Sequence, residues 1–232
     1  AGAAVGPLIA RLVEVAMICG YFFHWEKKIG YRVRHLFLPC RSFLASFCQF
    51  SLPVVVSDSL LGVGYTALAM IMGRIGSAFV AANAITMVVS RHTNVIIQGV
   101  GNASSVMTGN TIGEGDADTA YRQGVTFLAL GLIFGVAAGV VIWAISPFVV
   151  GFYQISEATR AIAMEQMYAM AILIPFQTMA YVTTKGVLRG GGDTRFLMVA
   201  DILFLWAASI PLGYAAGLLW GLDAFWVYLA LH

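Results

Sequence analysis

Charge is scarce in this 232-residue chain: Asp, Glu, Lys and Arg together make up 10% of it, against about 25% in an ordinary soluble domain. With apolar residues at 60%, a freely soluble fold is excluded, because too little polar surface would remain to hold it in water. Cysteine is equally sparse. Cys19, Cys40 and Cys48 form no C-x-x-C pair, so neither structural zinc nor a disulfide framework is expected; they read as small apolar packing residues. The motifs of hydrolysis and nucleotide binding are missing too: no H-E-x-x-H, no G-x-S-x-G and no Walker A loop. Without a nucleophile–base pair or a metal cluster, no enzyme and no resident cofactor are expected. Any pumping must then draw on an ion gradient or on another subunit. The formal net charge of +2 points to no particular partner, and no nucleic acid is expected. A cleavable signal peptide is not expected either, since Arg11 and Glu14 interrupt the first apolar run and no charged region precedes it. The chain opens on Ala1-Gly2-Ala3-Ala4 and stops inside the apolar run Trp226–His232, which reads as a fragment cut at both ends.

Long apolar runs are what the chain has in plenty. A membrane helix needs about 20 mostly apolar residues, because its backbone must satisfy itself across roughly 30 Å of hydrocarbon. Five complete runs meet that test, near 51–73, 77–107, 124–152, 160–184 and 196–221; 1–23 reads as the end of a further span and 224–232 as the start of another. Short glycine-rich breaks separate them: Gly73-Arg74-Ile75-Gly76, Gly113-Glu114-Gly115-Asp116, Gly190-Gly191-Gly192-Asp193 and Gly221-Leu222-Asp223. The third break lacks the Lys-Ser/Thr of a phosphate cradle. The expected fold is all-α, a polytopic transmembrane helix bundle. Basic residues orient it. Alternate loops hold Lys27, Lys28, Arg32, Arg34, Arg41, Arg122, Lys185, Arg189 and Arg195, and the other set only Arg74 and Arg160. This asymmetry predicts that loops 24–42, 113–123 and 185–195 are cytoplasmic in a multi-pass plasma (inner) membrane protein. The stretch Tyr31–Phe50, mixing basic and apolar residues, is either an interfacial helix leading into the span at 51 or a plain cytoplasmic loop.

Ionisable groups inside apolar spans cost several kcal/mol unless paired or wetted, about 2.5–3.5 at a helix centre on insertion scales, so each is a candidate site. Asp58 lies five residues after Pro53, with Gly62 and Tyr65 on its face. A carboxylate there can bind H⁺ or Na⁺ reversibly, and Pro53 frees a backbone carbonyl nearby; the alternative is a structural salt bridge. In the span 77–107, Asn83, Arg91, Asn94, Gln98, Asn102 and Ser105 fall within an arc of roughly 100°, with His92 opposite. This stripe either lines a water-filled cavity or joins helices by hydrogen bonds. Gln177, Tyr181 and Thr184 share a face after Pro175, at a kink that is either static or a moving part. Asp201 lies where Lys185 and Arg189 can reach it, as a gate salt bridge or as a coupling carboxylate. Glu165 reads as interfacial, and Arg11 and Glu14 as an intrahelical pair.

Three stretches carry a family resemblance. They are Lys185-Gly-Val-Leu-Arg-Gly-Gly-Gly-Asp-Thr-Arg195 followed by Asp201, Leu205-Trp206 and Pro211-Leu212-Gly213; Ala81-Ala82-Asn83 leading to Gly109-Asn-Thr-Ile-Gly-Glu-Gly-Asp116 with Ala120; and Pro53 to Asp58 leading to Gly73-Arg74-Ile75-Gly76. In order and span spacing they resemble the multidrug and toxic compound extrusion (MATE) family, over roughly residues 1–230. The resemblance implies two six-helix lobes, of which this chain would be most of the carboxy-terminal one. Residues 1–23 would end the last helix of the amino-terminal lobe, 24–50 would form an inter-lobe loop and interfacial helix, and 51–232 the lobe itself. It implies export of drugs or other organic cations in exchange for Na⁺ or H⁺. Asp58 would stand where related sequences often have glutamate, one methylene longer. The expected partners are a small-molecule drug or organic cation, the lipid bilayer and the missing amino-terminal lobe. The expected coupling-cation residues are Asp58, Asp201 and Tyr65, and the expected substrate cavity is Asn83, Arg91, Asn94, Gln98, Asn102, Gln177 and Tyr181. No metal site is expected beyond Na⁺ at Asp58. The rivals are a lipid-linked oligosaccharide flippase of the same superfamily, whose anionic substrate calls for more mid-membrane cations than Arg91, and a non-transporting membrane scaffold.

Overall fold

A computed structural model describes residues 2–24 and 41–232, with side chains placed at 5–21, 44, 45, 47–49 and 51–232. The chain divides into two compact units, Ala1–Phe47 and Cys48–His232. The first contains α1 (Gly2–His24), interrupted by Pro7. Arg11 Nη1 donates to Glu14 Oε2 at 2.6 Å, the pair that the i, i+3 spacing predicts. Both side chains are exposed, so the pair adds little to stability.

The five apolar runs each become a long helix. They are α2 (Arg41–Ile75), α3 (Ser77–Gly113), α4 (Ala117–Gly151), α5 (Glu157–Tyr181) and a rod that begins as α6 (Thr194–Leu203). Helix α5 continues through a π-helical stretch, Val182–Leu188. The α6 rod passes through a π stretch (Phe204–Ser209), α7 (Ile210–Tyr214) and another π stretch (Ala215–Leu219); α8 is Ala224–Leu231. Among the described residues, three segments are long and apolar enough to cross a membrane: Phe47–Ile75, Ala117–Gly151 and Thr194–Leu219. Helices α3 and α5 miss that measure because they carry the polar residues singled out above. Of the segment Tyr31–Phe50, read as an interfacial helix or loop, residues 31–40 lie outside the described residues, and 41–50 are the first turns of α2.

The connections are shorter than the apolar runs suggest, which corrects two predicted loops. Helix α3 reaches Gly113 and α4 starts at Ala117, so 113–123 is mostly helical. Likewise 185–190 stays helical, and only Gly191–Asp193 turn before α6. Capping explains why so few residues suffice. Asp116 accepts from the Thr119 N–H at 2.9 Å, Ser156 from Thr159 at 3.3 Å and Asp193 from Phe196 at 3.2 Å, each satisfying a donor that a helix start leaves free. Bonds from the Thr119 side chain and backbone hold the exposed Asp116 carboxyl below its ordinary range. Gly115 and Gly192, with φ of 88° and 85°, take the left-handed step that ends the preceding helices.

Two cores hold the second unit together. One joins α3, α4, α5 and α8 through Ile97, Ile142, Met167, Met170, Ile174 and Tyr228. The other joins the last turns of α2 to the α6–α7 rod and α8 through Leu68, Ile71, Met72, Leu205, Val227 and Leu231. The α4–α5 contact rests on Gly131, Gly135 and Gly139, four residues apart and all buried. Pro175 has no N–H to give the carbonyl of Ala171, and that oxygen lies against Gly139, 2.5 Å from where a Cβ would stand. Buried hydroxyls turn back on their own helices, Thr178 to Ile174 O at 2.7 Å and Ser146 to Ile142 O at 2.6 Å. An apolar interior thereby tolerates them.

Candidate functional site

Asp58, Lys185, Asp201 and Ser57 converge from α2, the π stretch after α5, and α6. The helix around Pro53 carries Asp58 and its neighbour Ser57 on the inner edge of α2. Of the described α2 side chains before Gly64, only Ser57 is buried. Lys185 sits in the π-helical turn Val182–Leu188, one turn before the glycines that end the helix. Such a turn widens the helix by one residue and is frequent at functional sites. Lys185 Nζ donates to Asp201 Oδ2 at 2.7 Å and lies 3.8 Å from Asp58 Oδ1. Ser57 Oγ donates to the same Asp201 oxygen at 3.3 Å.

The three charged groups are not equivalent. Asp201 and Lys185 are 17% and 20% exposed, whereas Asp58 is 55% exposed. Asp201 is therefore held by a short charge-assisted bond and a hydroxyl, the stronger arrangement. Asp58 is held by a longer contact and keeps access to water. One ammonium faces two carboxylates, which leaves one negative charge unbalanced. At 4 Å such charges interact by about 4 kcal/mol at an effective dielectric of 20 and about 1 kcal/mol in water, so the exposed Asp58 contact is the weaker one. The sequence anticipates the Lys185–Asp201 pair. It places Lys185 at the start of a loop, however, and the structure moves it one turn into the helix. Arg189, the other expected partner, is exposed and forms no ion pair among those of the described residues.

Other candidate residues spread further. Tyr65 is exposed, 61%, and makes no hydrogen bond to either acid. The α3 stripe divides. Asn83 is buried in the helix interface. Asn94 is half-buried and donates to Ser90 Oγ at 3.3 Å. Arg91, Gln98 and Asn102 remain exposed along one row, and Ser105 is half-buried. His92, opposite, meets Val88 O at 2.8 Å through Nδ1. Gln177 is half-buried. The Tyr181 ring packs against Gly101 of α3, 2.7 Å from a would-be Cβ there, and Thr184 donates to Ala180 O at 2.7 Å. Glu165, read as interfacial, accepts the Phe225 N–H at 3.3 Å and so caps the start of α8.

Sequence reasoning missed Ser57 and the membership of Lys185 in one cluster with Asp58. A signal for the second exists: glycines at 190–192 mark the helix end, which sets Lys185 a turn inside it.

The MatE family model matches residues 53–215. A probable multidrug resistance protein NorM of Xylella fastidiosa is 25% identical over 202 residues, covering 85% of this chain and 42% of that protein. The multidrug resistance protein NorM of Burkholderia vietnamiensis is 29% identical over 188 residues, 74% of this chain and 40% of its own length. This chain thus spans about two fifths of these relatives. A crystal structure of MATE in the straight conformation superposes with a TM-score of 0.82 at 17% identity, over 99% of this chain and 52% of that one.

Proposed function

Since this chain belongs to the MatE family, we propose that it forms one lobe of a secondary active transporter that exports drugs or other amphipathic or cationic compounds in exchange for Na⁺ or H⁺. The observation that carries the reading is the cluster of Asp58 and Asp201, on two segments long and apolar enough to cross a membrane, with Lys185 of the π stretch after α5, one carboxylate being left open to water. An ionisable group costs too much in hydrocarbon to persist without a partner or a wet cavity. A carboxylate that alternates between bound and free cation links an ion gradient to a conformational change. The exposed row of Arg91, Gln98 and Asn102 supports a second element, the wall of a substrate cavity facing the missing amino-terminal lobe. By this reading residues 1–23 end that lobe, 24–50 connect the two, and 51–232 make the present one. The membrane is the plasma (inner) membrane, with the segments around 24–42, 113–123 and 185–195 on the cytoplasmic side.

The full-length protein, reconstituted in proteoliposomes with a fluorescent organic cation, tests the function. An imposed inward-directed Na⁺ or H⁺ gradient should drive substrate out against its own gradient, and collapse of that gradient with an ionophore should stop it. Transport indifferent to both gradients would refute ion-coupled antiport. The cavity wall has its own test. Cysteine at Gln98 or Asn102 should react with a water-soluble maleimide and be protected by substrate. Cysteine at Ile96, exposed at 59% but turned by roughly 140° on the helical wheel, should not. Equal labelling at 96 and 98 would mean that the row does not face a cavity.

A further inference from the structure

We propose that Lys185 is a tethered cation that sets the charge of the ion site, cancelling Asp201 so that Asp58 alone accepts one monovalent cation or one proton. This rests on the coupling reading above and goes beyond it, because it assigns specificity to a residue that does not itself bind the travelling ion. The geometry separates the two acids. Asp201 is taken up by Lys185 Nζ at 2.7 Å and by Ser57 Oγ at 3.3 Å. Asp58 is 3.8 Å from the same ammonium and 55% exposed. An arriving cation therefore meets Asp58 first, and it meets a site holding one uncompensated negative charge. Without the ammonium, two carboxylates from different helices would hold two uncompensated charges within reach of one ion. A divalent cation suits such a pair, and a monovalent ion would be held too tightly to be released.

The proposal fixes the outcome of a set of charge changes in the full-length protein. Lys185→Met keeps most of the stem and removes the charge; it should tighten Na⁺ binding by roughly tenfold after screening at the exposed acid. It should also create Mn²⁺ binding, visible by electron paramagnetic resonance on purified protein, and slow export. Asp201→Asn alone should also stop export, because Lys185 then turns to Asp58 and neutralises it. Combining the two restores the single open carboxylate, so the Lys185→Met/Asp201→Asn protein should regain most export and lose Mn²⁺ binding. Size-exclusion profiles establish that each variant is folded before either readout. Two results overturn the proposal: wild-type export without Mn²⁺ binding by Lys185→Met, or a folded double variant no more active than Asp201→Asn. Both are distinct from failure of the coupling reading itself, which would show as undiminished ion-driven export by Asp58→Asn.

Discussion

Asp58→Asn in the full-length protein is expected, on the ion-coupled antiport proposed above, to reduce gradient-driven efflux to the level of empty membranes, without lowering the amount of protein inserted. The substitution keeps the size of the side chain and most of its hydrogen bonding. What it removes is the one charge that Lys185 leaves unbalanced, since Asp201 already holds that ammonium at 2.7 Å and Asp58 stands off at 3.8 Å. Folding should tolerate the change: the Asp58 side chain is 55% exposed, and exposed ion pairs contribute about 0–1 kcal/mol. Function should not tolerate it, because a neutral amide neither carries a proton nor attracts Na⁺. Gradient-driven substrate uptake into everted vesicles, read against immunoblot abundance, separates the two effects. Wild-type, ion-driven efflux by the Asn variant would make Asp58 structural and pass the coupling role to Asp201 or to the amino-terminal lobe that the proposal implies. Efflux lost together with abundance would show that the acid serves folding instead.

Gly139→Val should destabilise the bundle strongly. A Cβ at Gly139 would stand 2.5 Å from the carbonyl oxygen of Ala171, and one at Gly135 2.7 Å from the Cα of Pro175. Both obstacles are backbone, so no side chain can swing aside, and α4 would have to move away from α5. Overpacking against side chains costs about 1–3 kcal/mol, and close approach at small residues is what drives helix association where the solvent is lipid. The loss should exceed about 3 kcal/mol and lower the melting temperature by roughly 6–12 °C, at 2–4 °C per kcal/mol for a unit of this size. Gly151→Val in the same helix meets open space and should leave the melting temperature within about 1–2 °C, as surface changes usually stay within 0.5 kcal/mol. Equal shifts for the two variants, measured by thermal size exclusion, would mean that the α4–α5 approach is not what stabilises the bundle.

Parts of this arrangement are legible in the chain. Spans are, because a lipid core demands unbroken helical hydrogen bonding over a length that composition reports. Turn positions are, because Gly115 and Gly192 are needed where φ is positive and Asp116 and Asp193 where a helix starts. The Arg11–Glu14 and Lys185–Asp201 pairs are also legible, the first from helical spacing and the second from matching depth. Loop lengths are not: basic residues near a helix end read as loop, yet the 185–190 segment stays helical and carries Lys185 inward. The stripe on α3 reads as one face, but a neighbouring helix covers Asn83 and leaves Gln98 open, a difference that periodicity cannot contain.

By itself, the order of residues determined that this chain is a helical membrane protein, where its helices turn, and which family it resembles. Those properties depend on local hydrogen bonding, on the cost of charge in hydrocarbon and on motifs contiguous in sequence. Only the tertiary structure decided that Asp58 and Asp201, 143 positions apart, share one ammonium, and that Asp201 rather than Asp58 holds it closely. The physical reason is that this choice depends on helix rotation to within an ångström. Gly131, Gly135 and Gly139 let α4 pack closely on α5 and on Val182, and the π stretch Val182–Leu188 that continues α5 carries Lys185 to within 2.7 Å of Asp201 on α6.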